Sequence, residues 1–283
     1  MQIENYNIIK LIKNNSKFSR VFIAQKKREF FVVKEFLFNK EGQEAFLTEK
    51  SITQNFAPPI TDVFIYNNKG VIVRKFIEHK TLIEYCKKPF LTKKRKFYLS
   101  CINIFIKILQ TLSNIHKNNI IHNDLKQGNI LIENDTNKVY FIDFAMAKLP
   151  DTKKQKSSFS LIFSPPEHIL KFYDLYTPDT DLYMLALTFW SALNNGKLPF
   201  YHSNPEILIN IQLNMPLPQA RLDKDLYTIL HTASYKTPLP KPPLMLKREY
   251  LLQHILSDKN KRFQTTIEFI KKLTEYKINL INK

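Results

Sequence analysis

The chain has 283 residues, 44% of them hydrophobic, so it can fill a sizeable core and is not disordered as a whole. Its 43 Lys and Arg residues outnumber 25 Asp and Glu residues, and the formal net charge of +18 favours anionic partners such as nucleotides, acidic proteins or anionic lipid surfaces. Two cysteines without metal-ligand spacing exclude a disulfide scaffold, and the absence of a signal-peptide pattern or a transmembrane-length apolar run predicts a soluble, cytoplasmic protein.

Short apolar runs rich in β-branched and aromatic residues fill the first part of the chain. Polar turns separate them, which predicts five strands of an antiparallel sheet. The runs are 6–12, 20–24, 30–36, 63–66 and 71–77. Between the third and the fourth run, the mixed charges of 42–55 predict one exposed helix.

After about residue 80 the apolar residues recur at helical spacing. The pattern over 98–115 predicts a long amphipathic helix, and 182–193 is apolar nearly all round, which predicts a buried central helix. Thr265 and Glu268 form a capping-box pattern before a last helix. We therefore expect an α+β chain forming one domain over 1–283, with a small β lobe at about 1–77 and a larger, mostly helical lobe at about 78–283.

The most informative polar residues lie on either side of a predicted hairpin, whose two strands are the apolar runs 130–132 and 139–142. Residues 122–129 read HNDLKQGN, and residues 143–145 read DFA. This arrangement resembles the catalytic loop and the metal-binding motif of the eukaryotic-like serine/threonine protein kinases, whose patterns are HRDLxxxN and DFG. The resemblance implies a two-lobed kinase fold that transfers the γ-phosphoryl group of ATP to Ser or Thr hydroxyls of proteins.

The same resemblance assigns roles to the polar residues of this segment. Asp124 would accept or orient the proton of the substrate hydroxyl, and Lys126 would neutralise charge on the moving phosphoryl group. Asn129 and Asp143 would hold Mg²⁺, with Mn²⁺ as the alternative metal. Phosphoryl transfer needs these oxygen ligands and this carboxylate because the protein supplies positioning and electrostatics rather than covalent chemistry.

Upstream, residues 31–34 read FVVK and resemble the third strand of the kinase fold, whose lysine binds the α- and β-phosphates. Lys34 would be that lysine. Its family partner is a helix glutamate, for which Glu49 is the better match and Glu44 the competing choice. The resemblance also implies that the adenine ring lies between Val21 and Val32 on one side and Leu131 on the other. The backbone of Lys75 and Ile77 would contact its edge.

The phosphate-covering loop departs from the family pattern. Asn14, Ser16 and Ser19 stand where the family has glycines, and none of the four glycines of the chain lies there. Glycine lets the backbone approach a phosphate closely, whereas Asn only tolerates positive φ and Ser is only small. We expect Asn14 and Ser16 to contact the phosphates, with poorer closure. Arg74 also stands just before the hinge, where apolar residues are usual.

Further matches and departures lie downstream. Glu167 ends a segment that resembles the Ala-Pro-Glu motif, whose glutamate pairs with a late arginine, here Arg262. Asp181 matches the aspartate that fixes the catalytic-loop backbone. Ala145 replaces the glycine of the metal motif, which restricts the backbone there. Asn123 replaces an arginine that grips a phosphorylated segment.

Because the neutral Asn123 side chain cannot make that charge-assisted contact, we expect activity that does not depend on phosphorylation of Ser157 or Ser158. Ser160 is the better match to the family residue that touches the catalytic aspartate and favours hydroxyl groups of Ser and Thr.

Two other functions stay open from the sequence. The missing glycines and Ala145 suit a pseudokinase that acts as a scaffold or binding module. The third hypothesis is a small-molecule, lipid or sugar kinase of related fold. The match of Glu167 and Arg262 to the protein-kinase pattern counts against it. Nucleic-acid binding has only the net charge in its favour, since the sequence holds no base-reading motif.

Overall fold

The computed structural model describes residues 2–13, 18–87, 94–150, 161–220 and 222–282. Its strands are β1 (Gln2–Ile3), β2 (Tyr6–Lys13), β3 (Ser19–Lys26), β4 (Glu29–Leu37), β5 (Ile60–Tyr66), β6 (Lys69–Lys75), β7 (His79–Lys80), β8 (Ile130–Glu133) and β9 (Val139–Phe141). Its helices are α1 (Lys40–Lys50), α2 (Leu82–Tyr85), α3 (Lys94–Lys117), α4 (Pro166–Ile169), α5 (Pro178–Leu193), α6 (Pro205–Asn214), α7 (Lys224–Ala233), α8 (Arg248–Lys259) and α9 (Thr266–Asn282). The chain thus combines an antiparallel sheet near its start with a larger helical part, the α+β class that the sequence predicts.

The first sheet is antiparallel throughout, in the strand order β1-β2-β3-β4-β6-β5. The five predicted strands are all present in this antiparallel sheet, and the two-residue strand β1 adds a sixth that the sequence did not predict. Such a short strand has too few residues to show an alternating pattern. The predicted last strand also ends at Lys75 rather than at residue 77.

Helix α1 is shifted from its predicted range of 42–55. It begins at Lys40 because the Asn39 side chain caps it, accepting a hydrogen bond of 2.8 Å from the backbone N–H of Gly42. It ends at Lys50, and Pro58 and Pro59 then lead the chain into β5. The predicted range was therefore wrong at both ends. At the start, the reason is that the capping residue lies outside the pattern from which the helix was predicted.

The inner face of β6 carries helix α1. Gly70, Ile72 and Arg74 alternate along this strand and therefore point to the same side of the sheet. A Cβ atom on Gly70 would lie 2.7 Å from the Phe46 ring of α1, so only glycine allows this close approach. Ile72 joins Phe36, Ala45 and Phe46 in one buried cluster. The position of α1 on the sheet therefore depends on this face of β6.

The helical part is built around α3 and α5. Fourteen of the sixteen residues of α5 are buried, as its apolar sequence predicts. The rings of Phe105 on α3 and Phe189 on α5 stack with their centroids 4.0 Å apart, and Phe189 also meets Phe269 of α9. These contacts hold α5 against both α3 and α9.

The predicted hairpin consists of β8 and β9, which pair in the register Ile130 to Phe141 and form a three-stranded sheet with β7. It lies between the first sheet and the helices, so the polar segments at its ends face the cleft between the first sheet and this hairpin. Over the parts of the chain that the structure describes, no helix is long and apolar enough to cross a membrane.

Candidate active site

A cavity of about 290 Å³ lies between the first sheet and the β8–β9 hairpin. Every residue that the sequence predicts to contact a nucleotide lines it, wherever the structure describes that residue. These residues are Val21, Val32, Lys34, Lys75, Ile77 and Leu131. Asn14 and Ser16 lie outside the described residues. The cavity has apolar side chains from both sheets and a cluster of charges at one end, which suits a flat ring that carries an anionic tail.

Lys34 on β4 joins two carboxylates at the charged end of the cavity. Its Nζ forms an ion pair with Glu49 of α1 and lies 2.7 Å from Oδ1 of Asp143. Burial alone would lower the pKa of the Lys34 ammonium, but the charges of Asp143 and Glu49 raise it above its ordinary value. Of the two candidate helix glutamates, Glu49 rather than Glu44 therefore meets the lysine.

Asp143 is held by two lysines on its two oxygens. Oδ1 faces Lys34, and Oδ2 lies 3.4 Å from the Nζ of Lys13 at the end of β2. Burial alone would raise the pKa of the Asp143 carboxyl, but Lys34 and then Lys13 outweigh it and hold this pKa far below its usual range. The residue has φ 65°, in the left-handed region. Sequence analysis missed Lys13, which an irregular register between β2 and β3 brings to the cavity.

Asp124 lies beside the cavity in the segment between α3 and β8. Its Oδ2 accepts a hydrogen bond of 2.7 Å from the Nζ of Lys126 and one of 3.0 Å from the side-chain amide of Asn129. The same amide nitrogen donates to the Asp124 backbone carbonyl at 2.7 Å. Asn129, which lines the cavity, therefore orients Asp124, and Lys126 places a positive charge next to it.

Asp181, in the first turn of α5, fixes the backbone of this segment. Its carboxylate accepts hydrogen bonds of 2.9 Å from the backbone N–H groups of both His122 and Asn123, and its Oδ2 lies 2.9 Å from Nε2 of His116. Asn123 has φ 62°, again in the left-handed region. The predicted anchoring role of Asp181 is confirmed, and His116 is an additional partner that sequence analysis did not identify.

The donor set at the cavity fits a magnesium ion. Asn129 and Asp143 both line it and offer an amide oxygen and a carboxylate that stays ionised, which are the hard oxygen ligands that Mg²⁺ prefers. Mg²⁺ bound beside a nucleotide commonly takes one or two such protein ligands and completes its shell with phosphate and water oxygens. No group of three or more His, Cys, Asp or Glu side chains suited to a metal occurs among the described residues.

Arg74, which breaks the apolar pattern before the hinge, has specific partners. Its guanidinium donates to the backbone carbonyls of Glu49 at 3.1 Å, Ile52 at 3.0 Å and Pro58 at 2.5 Å. Burial lowers the pKa of this guanidinium, while the Glu49 carboxylate opposes the shift. Arg74 therefore lines the cavity with its charge turned toward the end of α1, and Lys75 and Ile77, the predicted contacts of the adenine edge, line the same cavity.

The predicted pair of Glu167 and Arg262 is confirmed, and it is part of a larger buried cluster. Nη1 of Arg262 lies 2.8 Å from Oε1 of Glu167. Asp179 and Lys259 join them, with the Lys259 Nζ 2.8 Å from Asp179 and 3.4 Å from Glu167. The sequence pointed to only half of this four-residue cluster, because Lys259 lies in a Lys-rich stretch without a distinguishing pattern.

Ala145, at the glycine position of the metal motif, packs its side chain into the cluster of Phe36, Ala45, Phe46 and Ile72 under α1. Its methyl group therefore adds contact between the Asp143 segment and α1. Ser157, Ser158 and Ser160 lie outside the described residues.

Comparisons with known proteins agree on one kind of relative. A family model described as "Protein kinase domain" matches residues 15–278. A protein of Acanthamoeba polyphaga mimivirus, named as a serine/threonine-protein kinase, is 30% identical over 214 residues, which cover 71% of this chain and 76% of that protein. A Clostridium perfringens protein named as a serine/threonine-protein kinase is 30% identical over 194 residues, 64% of this chain and 27% of its own length.

The solved structure of the Cydia pomonella granulovirus kinase PK-1 is similar along almost the full length of both chains. It has a TM-score of 0.67 and covers 95% of this chain and 94% of the viral one, at 19% sequence identity. At that identity the likeness concerns the fold.

Proposed function

We propose that this chain, which belongs to the protein kinase family, transfers the γ-phosphoryl group of ATP to serine or threonine hydroxyls of proteins. The observation that carries the proposal is the convergence of Lys34, Glu49 and Asp143 at one end of the cavity, next to the Asp124 and Asn129 pair. This is the charge arrangement that a triphosphate, its metal and an attacking hydroxyl require.

Each residue then has a defined task. Lys34, held by Glu49, binds phosphate oxygens, while the apolar walls from Val21, Val32 and Leu131 hold the adenine ring. The Lys75–Ile77 hinge lies along the edge of the ring, and we propose that Asn14 and Ser16 contact the phosphates. Asp124 receives the hydroxyl proton of the substrate, and Lys126 offsets charge on the transferred group.

Asn129 and Asp143 are the proposed ligands of Mg²⁺ or Mn²⁺. When bound, the metal supplies positive charge to the phosphate oxygens. The lysines on Asp143 keep its carboxylate ionised and thus ready to bind a cation, because both favour the charged form.

Serine and threonine are the proposed acceptors because of Lys126, which matches the serine/threonine type of catalytic loop, and because of the names of the mimivirus and Clostridium relatives. We further propose that residues 1–283 form one kinase domain that works in the cytoplasm, and that the net charge of +18 favours acidic protein substrates.

The test compares phosphate transfer from labelled ATP to an acidic and a basic acceptor protein, using wild type, Asp124→Asn and Asp135→Asn. Removing the proton acceptor is expected to cost on the order of a hundredfold or more in kcat, with ATP affinity kept. Asp135→Asn makes the same chemical change in the exposed β8–β9 turn and should leave activity unchanged.

Equal signal from wild type and Asp124→Asn would contradict the proposal. A nucleotide-dependent melting shift without ADP production would select a binding module instead. Transfer to a small molecule but to neither protein would select a small-molecule kinase. Better transfer to the basic acceptor would overturn only the expectation about acidic substrates.

A further inference from the structure

Helix α1 delivers Glu49 to Lys34, and the structure holds the end of this helix in an unusual way. The last four carbonyls of an α-helix have no partner inside the helix, so they need donors from elsewhere. Near the end of α1, the Arg74 side chain donates to the carbonyl of Glu49, which also accepts from the Ile52 backbone N–H at 3.2 Å, and to the carbonyl of Ile52 just beyond the helix.

The third contact of Arg74 joins this helix end to the chain that follows. Its Nη1 donates to the carbonyl of Pro58, two residues before β5 begins at Ile60. One rigid guanidinium therefore bridges the end of α1 and the loop after it. A cation at a helix C-terminus is also favoured by the helix dipole, and the planar fork of arginine reaches several acceptors at once.

The base of Arg74 is itself well fixed. On β6 it pairs with Val32 of β4 and with Ile60 of β5, so its backbone lies in the interior of the sheet. The same face of β6 contacts α1 through Gly70 and Ile72. Arg74 is the polar end of a surface that otherwise holds the helix by apolar contacts.

We propose that Arg74 is a positioning residue for phosphoryl transfer, which clamps the end of α1 so that Glu49 meets Lys34. The inference rests on the proposed kinase function for its effect on the reaction. The clamp does not touch the reacting atoms and acts only through Glu49.

The activity test is a double-mutant cycle between Arg74→Met and Glu49→Gln, with Arg28→Met as the control. Met keeps an unbranched apolar stem like that of arginine but is shorter and donates no hydrogen bond, and Arg28 is exposed in the β3–β4 turn. We expect Arg74→Met to lower kcat about tenfold in the wild-type background and less than twofold in the Glu49→Gln background. Arg28→Met should change neither. Equal losses in both backgrounds would overturn the proposal, because Arg74 would then act by another route.

The structural test is hydrogen exchange of the α1 amides, which needs no catalytic activity. Arg74→Met should speed exchange within 40–50 relative to β3 and β4, whereas Arg28→Met should not. Arg74→Lys keeps the charge but lacks the planar fork, so it should give an intermediate effect and serves as a second variant if Arg74→Met does not fold. If wild type transfers no phosphate, the proposed function fails while this comparison still tests the clamp. Unchanged exchange in both Arg74 variants would overturn it.

Discussion

The cleft and the interior of the helical part both pair cations with carboxylates, but only the cleft leaves its charges within reach of a ligand. In the cleft, the Asp143 side chain is 22% exposed and its partner Lys13 is 47% exposed. In the interior, the side chains of Glu167 and Arg262 are both fully buried. The same chemistry therefore serves two purposes: enclosed charges hold helices together, while accessible ones bind a substrate that brings its own charge.

Two lysines make the comparison sharper. Lys34 in the cleft faces Asp143 and Glu49, and its pKa is raised despite burial. Lys236 in the interior donates to the Tyr183 hydroxyl at 2.9 Å and lies over the Phe200 ring at 4.2 Å. Burial, with the nearby charge of Arg262, lowers its pKa to about 7. The partners of a buried lysine, rather than burial itself, decide the direction of the shift.

The largest effect on stability is expected where no water can replace a lost partner. Arg262→Met leaves the Glu167 carboxylate buried with the more distant Lys259 as its ion-pair partner and the Thr180 hydroxyl as a neutral donor. It should reduce the free energy of unfolding by about 3 kcal/mol, since breaking a buried ion pair from one side leaves an uncompensated charge. Urea denaturation measures this, with Arg28→Met as the exposed control. A loss no larger than that of the control would show that the enclosed cluster does not stabilise the helices.

In the cleft, a substitution is expected to cost much activity and little stability. Lys34→Met should lower kcat on the order of a hundredfold, because it removes a preorganised positive charge from the phosphate site. It should reduce the free energy of unfolding by about 1–2 kcal/mol, less than Arg262→Met does, since Asp143 keeps Lys13 and both Asp143 and the buried Glu49 line the cavity, from which water can reach them. Kinetics and urea denaturation on the same samples give both numbers. A stability loss as large as that of Arg262→Met would remove the distinction between the two regions.

A further prediction concerns pH and Lys236. The unfolded lysine has an ordinary pKa near 10.5 and the folded one about 7, so the unfolded state binds more protons between these values. Stability should therefore rise as pH increases from 7 toward 10, by at least about 1 kcal/mol relative to Lys236→Met. Urea midpoints of both proteins at pH 7, 8.5 and 9.5 test this, because other titrating groups cancel in the difference. Parallel pH profiles would contradict the lowered pKa.

The sequence was informative where partners are close along the chain or belong to a recurring motif. The segment 122–129 and the hairpin after it could be predicted with their polar residues, since local pattern and spacing carry both. Glu49 could be preferred over Glu44 because Pro58 and Pro59 then fall where the kinase family has its turn after the helix.

Contacts that depend on three-dimensional packing could not be predicted in the same way. Arg74 binds backbone carbonyls, which every residue has and which leave no trace in the sequence. Lys13 reaches Asp143 through an irregular strand register, and Lys259 looks like any of its lysine neighbours. In each case the position of an acceptor, and not the identity of a residue, decides the contact.

The close packing of Phe46 on Gly70 has a consequence for how this protein can vary. The Phe46 ring fills the space that any side chain at position 70 would need. Even Gly70→Ala would therefore force the ring, and α1 with it, to shift away from the sheet. Position 70 lies two residues along β6 from Ile72, which pairs with Lys34, but it carries no chemistry of its own. Even so, we expect evolution to tolerate fewer replacements there than at many surface positions nearer the nucleotide.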